Sequence, residues 1–389
     1  MKKVYRTITV DKNTTAEQTP FNITGLERGK RYSVLLYYQK NGVRLADPVV
    51  TLNAPGNGYE VTDGFLVADE NGAISVHQAA GSIDAGTARY VSLQGLSDEK
   101  LALVTSASNT NPNCLWLLNE GTETPTGLTG KNVVKGNTAS AITLTDGYDF
   151  YTPVSFTASD IRFNITFTRA ATSTGGWNTI MLPFDVKTVK VDDGSVSGKT
   201  VDWFRSSSDT GKNFWVKTFT GDDGSTVYFD FATSMTANTP YLIAVPGDTW
   251  GEEWRMTDKT VTFYGTDATV AATASTFSLS GDRYKFCGST LGTGRTDIYA
   301  LNSTGKKFVK QTSSTTPGAF RAWISGANIS SLTMSSLSIA SGVPTMIDTV
   351  TEMPRVEDDT LYDLLGRPVK EGHVKTGVYI KNGRKVIIK

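Results

Sequence analysis

Histidine is nearly missing from this chain: two in 389 residues, His77 and His373. A Ser-His-Asp set or a histidine-rich metal site is not readily built from that supply. GxSxG, HExxH, P-loop and GxGxxG strings are also missing, which points away from histidine-dependent hydrolysis and gives no reason to expect a cofactor or metal. Cysteine is as scarce, with Cys114 and Cys287 alone and no CxxC, so the chain is no disulfide scaffold. Both lie beside apolar residues and read as buried free thiols, with a single bridge as the alternative. Neither sign of charge is in excess, at 38 Lys plus Arg against 38 Asp plus Glu. A nucleic acid or an anionic membrane is therefore not an expected partner. No apolar run approaches the roughly 18 residues of a membrane-spanning helix.

What the sequence does contain is globular and β-rich. Hydrophobic residues make up 39% and aromatics 10%, enough for sizeable cores, and the length suggests two or three domains at roughly 150 residues each. Short β-branched and aromatic runs alternate with Gly, Asn and Asp turns about every 8–12 residues, the spacing of sandwiches and barrels. Strands are expected at Arg6–Val10, Ser33–Gln39, Ile74–His77, Arg89–Leu93, Leu101–Thr105, Leu115–Leu118, Ala141–Leu144 and Phe163–Phe167. A second series runs from Phe214–Phe219 through Pro240–Val245 and Thr260–Tyr264 to Ala319–Ile324. The expected fold is all-β: tandem β-sandwich modules, immunoglobulin/fibronectin III-like or jelly-roll-like, with a small C-terminal β domain. The module boundaries are 1–54, 59–168, 169–340, a linker over 341–360, and a tail over 361–389. Ala54-Pro55-Gly56-Asn57-Gly58 reads as a further linker.

Chemistry-bearing candidates are few. Asp248 to Trp254 (DTWGEEW) sets Glu252 and Glu253 between Trp250 and Trp254. Carboxylates beside sugar-stacking aromatics suit carbohydrate binding, and two carboxylates suffice for a glycosidase. A surface loop capping a sandwich is the plainer reading. Trp203 and Trp215 join Trp250 and Trp254 as surface candidates. Asp192-Asp193-Gly194 and Asp222-Asp223-Gly224 lack the EF-hand spacing and read as hairpin turns.

The last residues are the most specific. Asn382-Gly383 between Val378–Lys381 and Lys385–Lys389 is a type I′ hairpin signal. The string LYDLLGRPV…GVYIKNGRKVIIK resembles the C-terminal sorting domain of type IX secretion cargo, on Tyr362, Asp363, Gly366, Arg367, Gly377, Tyr379 and Gly383. "FNITGLERGKRYSVLLYY" is similar to the later half of a fibronectin type III domain, with Tyr32 at the place of a tyrosine corner. "LTDGYDFYTPVSFTA", "GGWNTIMLPFDV", "ANTPYLIAV" and "PGAFRAWI" resemble, in this order, strings of many Bacteroidales surface or secreted proteins. That likeness carries no catalytic motif. Asp348-Thr349-Val350 and Asp359-Thr360-Leu361 are similar to the O-glycosylation motif of the same bacteria. These likenesses imply a secreted or cell-surface protein delivered through its tail by secretion machinery. Because no apolar stretch follows Met1-Lys2-Lys3, either the chain is a fragment or a processed form, or the tail is a plain terminal hairpin and no sorting domain. The expected function is non-catalytic: adhesion, or a structural or interaction module, touching a surface glycan or a host or bacterial surface protein. The alternative is a carbohydrate-binding module and, behind it, a glycoside hydrolase.

Overall fold

The computed structural model describes residues 56–63, 81–274, 276–326 and 334–342 continuously, and elsewhere the backbone of short strands. The chain forms two compact units, Met1–Pro344 and Thr345–Lys389. The first is all-β, built on a 12-stranded and an 11-stranded sheet of mixed direction.

The 12-stranded sheet begins antiparallel, with Val49–Ala54 between Ile74–His77 and Gly58–Asp63. Ala54 stands opposite Gly58, so the two ends of the stretch expected as a linker are paired in one sheet. The next four strands, Gly58–Asp63, Tyr90–Gly95, Leu115–Leu118 and Asn132–Lys135, are all parallel. Ser82–Asp84 and Ser106–Ser108 form a second parallel pair. Hydrogen bonds from Thr105 to Gly81, Ser106 to Ser82, Ser108 to Asp84 and Thr110 to Gly86 all join residues 24 apart. This part of the chain is thus wound as a coil, each turn laid on the last. Leu115–Leu118 is buried along its whole length. Because successive side chains point to opposite faces, Leu115 and Leu117 enter the main core while Trp116 and Leu118 fill the coil. Leu101–Thr105, expected as a strand, instead starts in a short helix, Asp98–Ala102.

Beyond the coil, Phe156–Thr166 pairs in parallel with Thr138–Thr145 and antiparallel with Thr260–Val270 over nearly its full length. One sheet therefore runs through both expected modules, 59–168 and 169–340. The inner face of Phe156–Thr166 is Phe156, Ala158, Ile161, Phe163 and Ile165. It packs on Ile180, Phe214, Val216, Ile243 and Phe320 of the other sheet and its connections, with Phe163 and Phe320 at 4.6 Å. Each Phe, Ile or Val among them contributes about 1.5–3 kcal/mol on burial.

The 11-stranded sheet runs from Asn178–Met181 through Pro240–Ala244, Phe214–Asp222 and Thr226–Phe231 to Ser336–Ser341. It continues through Lys307–Lys310, Tyr299–Leu301, Arg321–Gly326 and Tyr284–Ser289 to Phe277–Ser280. It curls around a second aromatic core of Phe219, Phe229, Phe286 and Phe308 with Tyr284 and Tyr299. Its curl brings the first strand back to Arg321–Gly326: Met181 N–H donates to Phe320 O at 3.1 Å, and Ala322 N–H to Thr179 Oγ1 at 3.0 Å. Ser341, expected to open the 341–360 linker, ends a strand.

Asp223 makes a hairpin turn as expected, accepting from Ser225 and Thr226 N–H with Gly224 at φ 88°. Cys114 and Cys287 are free and buried. Burial pushes their thiols to about 12 and about 11, so neither is a ready nucleophile.

In the second unit, the strands Leu361–Tyr362, Pro368–Val369, Gly377–Lys381 and Arg384–Ile388 form a small antiparallel sheet. Lys381 stands opposite Arg384, the register of a two-residue hairpin. Asp363, Gly366, Arg367 and Gly383 lie outside the described residues, as do 1–20, 33–38, the side chain of Tyr32 and both glycosylation-like motifs. Among the described residues no helix is long and apolar enough to cross a membrane.

Candidate functional site

The loop carrying the candidates is held from both ends. Pro246 O accepts from Met256 N–H, and Met256 is buried in the main core. Between them Asp248–Trp250 is one 3-10 turn, and Gly251, at φ 96°, turns the chain so that its carbonyl accepts from Trp254 and Arg255 N–H. Glu252 pairs with Lys259 at 2.7 Å and with Arg255 at 3.6 Å, and Arg255 reaches Asp258 at 2.8 Å. Four charges thus brace one exposed loop.

The two tryptophans it presents, Trp250 at 47% and Trp254 at 38% exposure, go to different partners. Trp250 leans on Trp215, ring centroids 5.2 Å apart at 59°. Trp215 stacks on Phe204 at 5.3 Å and 13°, because Trp203–Phe204 pairs in parallel with Phe214–Asp222 and sets Phe204 opposite Trp215. The result is an aromatic ridge, Phe204–Trp215–Trp250, with two members on strands and one on a braced loop. Trp254 lies apart, under Lys199 Nζ at 5.5 Å, and Lys199 also donates to Glu253 O at 2.5 Å.

Trp203, expected at the surface, is buried in the main core, its Nε1–H donating to Ala232 O at 2.9 Å. An alternating strand sends neighbours to opposite faces, so Trp203 goes in and Phe204 out. Glu252 is poorly suited to act as a general acid. Its bond from Lys259 leads the causes that lower its pKa, whereas a general acid at neutral pH needs a raised one. Among the described residues no group of His, Cys, Asp and Glu stands close enough to hold a metal.

Asp202 anchors the ridge's inner end, accepting from Lys212 at 2.7 Å, Arg205 Nη1 at 2.9 Å and Trp203 N–H at 2.9 Å. Partial burial pushes its carboxyl up, but these bonds outweigh it and hold the carboxyl at about 2 against an ordinary 3.8. A depressed carboxyl stabilises the fold above the unfolded value and loses that contribution as pH falls through the folded one. Asp202→Asn is therefore expected to cost stability at pH 5 and distinctly less at pH 2, where the folded carboxyl is already half protonated. Its side chain is 38% exposed, so screening keeps the loss under about 1 kcal/mol. Urea melts of both proteins at the two pH values read the gap, and an equal gap at both would refute the role.

No family model, characterised protein or solved structure matches the chain. The site therefore rests on its own geometry. Trp250 and Trp254 were visible as candidates in the sequence. Phe204 was not, because its role comes only from pairing with a strand ten residues further on.

Proposed function

We propose that the chain is a non-catalytic interaction module of an exported surface protein, and that the ridge Phe204–Trp215–Trp250 is its contact face. The observation that carries this reading is Trp250, held half-exposed against Trp215 on a braced loop. A large ring fixed in place loses little conformational entropy on binding, and for that reason tryptophan is enriched among residues that dominate interface energies. The tail supports export: its four-stranded sheet and tight hairpin suit a sorting domain recognised by secretion machinery.

A carbohydrate ligand is the second reading, favoured by the half-exposed rings of Trp250 and Trp254. Sugars present C–H faces that lie flat on such rings, and at Trp254, apart from the ridge, Lys199 adds a charged group over the ring. A glycan array of the purified chain, with Trp250→Ala and Trp215→Ala alongside, tests both. Saturable glycan binding weakened at least about ten-fold in Trp250→Ala, with an unchanged melting temperature, supports the sugar reading. If no glycan binds but Trp250→Ala abolishes adhesion of the chain to cell surfaces, the partner is a surface protein. Wild-type behaviour of both variants in both assays defeats the ridge as a contact face.

A further inference from the structure

Three strings singled out in the sequence meet at one place away from the ridge. The curled sheet closes incompletely between Asn178–Met181 and Arg321–Gly326, and the seam holds a cleft of about 190 Å3. Asn178 and Thr179 come from GGWNTIMLPFDV, and Pro317, Arg321 and Ala322 from PGAFRAWI. Asp146, from LTDGYDFYTPVSFTA, pairs with Arg321 at 2.6 Å. Arg169, which follows Phe156–Thr166, also lines the cleft and is fixed by donating to the Trp177 carbonyl.

The charges at this seam do not balance. Arg321 has a carboxylate partner. Arg169 has none among the described residues, its one bond being to Trp177 O. The two guanidiniums feel each other: burial first, and then the Arg321 charge, push Arg169 below its ordinary value. The lining contains no other ionisable side chain. Two cations against Asp146 leave one positive charge uncompensated in a partly desolvated cleft. Arg321 Nη1 and Asp146 Oδ1, the unused halves of their own ion pair, are both buried without a partner, so the unmatched cation of the seam is Arg169. Guanidinium groups present planar forks of donors that match oxyanions.

We propose that this seam is a binding site for a small, singly charged oxyanion, a carboxylate in the first place, seated between Arg169 and Arg321. Asn178 and Thr179 lie on its polar side, and Leu301 and Pro317 supply apolar walls. The cleft is smaller than the roughly 300–1,000 Å3 of drug-sized sites, which suits one acidic sugar unit or a short organic acid.

The test is calorimetry on the full chain at low ionic strength, with sodium glucuronate, glucose and inorganic phosphate as probes. Glucuronate is expected to bind saturably and glucose not, with affinity falling as salt rises. Arg169→Gln should weaken glucuronate binding about ten-fold or more, the scale of one charge-assisted hydrogen bond, and Arg169→Lys less. Asn178→Asp, which leaves both arginines in place and cancels the excess charge, should abolish binding if Arg169→Gln does not fold. Phosphate binding as tightly as glucuronate upholds the oxyanion site and names free phosphate as its occupant. Absence of saturable binding by either anion, equal binding of glucose, or wild-type affinity in Asn178→Asp overturns the proposal. Trp250→Ala should leave this binding unchanged, so failure at the ridge and failure at the seam are told apart.

Discussion

Gly176→Ala is expected to destabilise the first unit by about 3–5 kcal/mol, while Gly147→Ala costs only about 1 kcal/mol. Both glycines sit at φ 84°, so the strain of placing alanine in the left-handed region is common to both. What differs is space. A Cβ on Gly147 meets nothing within 4 Å, whereas one on Gly176 would stand 2.1 Å from Ala170 O and 2.7 Å from Ala171 Cα. These are backbone atoms and cannot swing aside. Ala171 N–H is itself bonded to Val245 O at 2.7 Å, so relief for residue 176 pulls on the edge of Pro240–Ala244. The same shift moves the Trp177 carbonyl that fixes Arg169, so any surviving Gly176→Ala protein should also bind oxyanions more weakly. Urea denaturation of the two variants reads the difference directly. Equal losses would mean that segment 170–171 yields freely and that close approach is not the reason for glycine here.

Much of the strand content was legible because burial follows alternation. The expected strand Ala141–Leu144 lies within Thr138–Thr145, with Ile142 and Leu144 buried and Ala141 and Thr143 exposed. Alternation carries no direction, however. The parallel coil through Tyr90–Gly95, Leu115–Leu118 and Asn132–Lys135 shares its local pattern with an antiparallel meander, and only the 24-residue spacing of its small pairs marks it. That spacing joins GSIDAG to TSASNT, two strings with little in common but small and polar residues. The helix at Asp98–Ala102 had a signal in Ser97-Asp98-Glu99, an N-terminal pattern, but it is a single turn within an apolar run that also reads as strand. The exposure of Trp250 and Trp254 could be anticipated from the polar loop around them. The stacking of Phe204 on Trp215 and the convergence of Arg169, Arg321 and Asp146 could not, since each needs sheet pairings between distant segments. Strings that read as structural in the sequence turn out to frame a cleft lined by two arginines and no carboxylate.

Asn113→Asp is expected to be the most pH-sensitive substitution in the coil, costing about 3–5 kcal/mol at neutral pH. Asn113 is fully buried. Its Nδ2 donates to Thr145 O at 3.0 Å and Tyr148 O at 2.8 Å, and its Oδ1 accepts from Thr145 N–H at 2.7 Å. It thereby joins the segment entering Leu115–Leu118 to the turn that follows Thr138–Thr145, at the point where the coil meets the main core. Aspartate fills the same volume but turns the double donor into an acceptor facing two carbonyl oxygens, and none of the partners hydrogen-bonded to Asn113 carries a positive charge. The folded-state pKa of the new carboxyl must therefore rise above the unfolded value of about 3.9. The sign follows from linkage. Below about pH 4 the carboxyl is protonated in both states, its O–H donates to one carbonyl, and the variant loses little more than one hydrogen bond relative to wild type. As pH rises through the folded-state pKa the fold must either bear the buried charge or keep the proton, and the deficit grows to its full size. Asn113→Ala, which lacks the charge, should lose about 1–3 kcal/mol at every pH. Urea denaturation of the three proteins from pH 4 to pH 8 separates these curves. A deficit in Asn113→Asp that stays flat across that range would show that the turn at Thr145–Tyr148 opens to admit water, and that the asparagine is a local bond rather than the joint between coil and core.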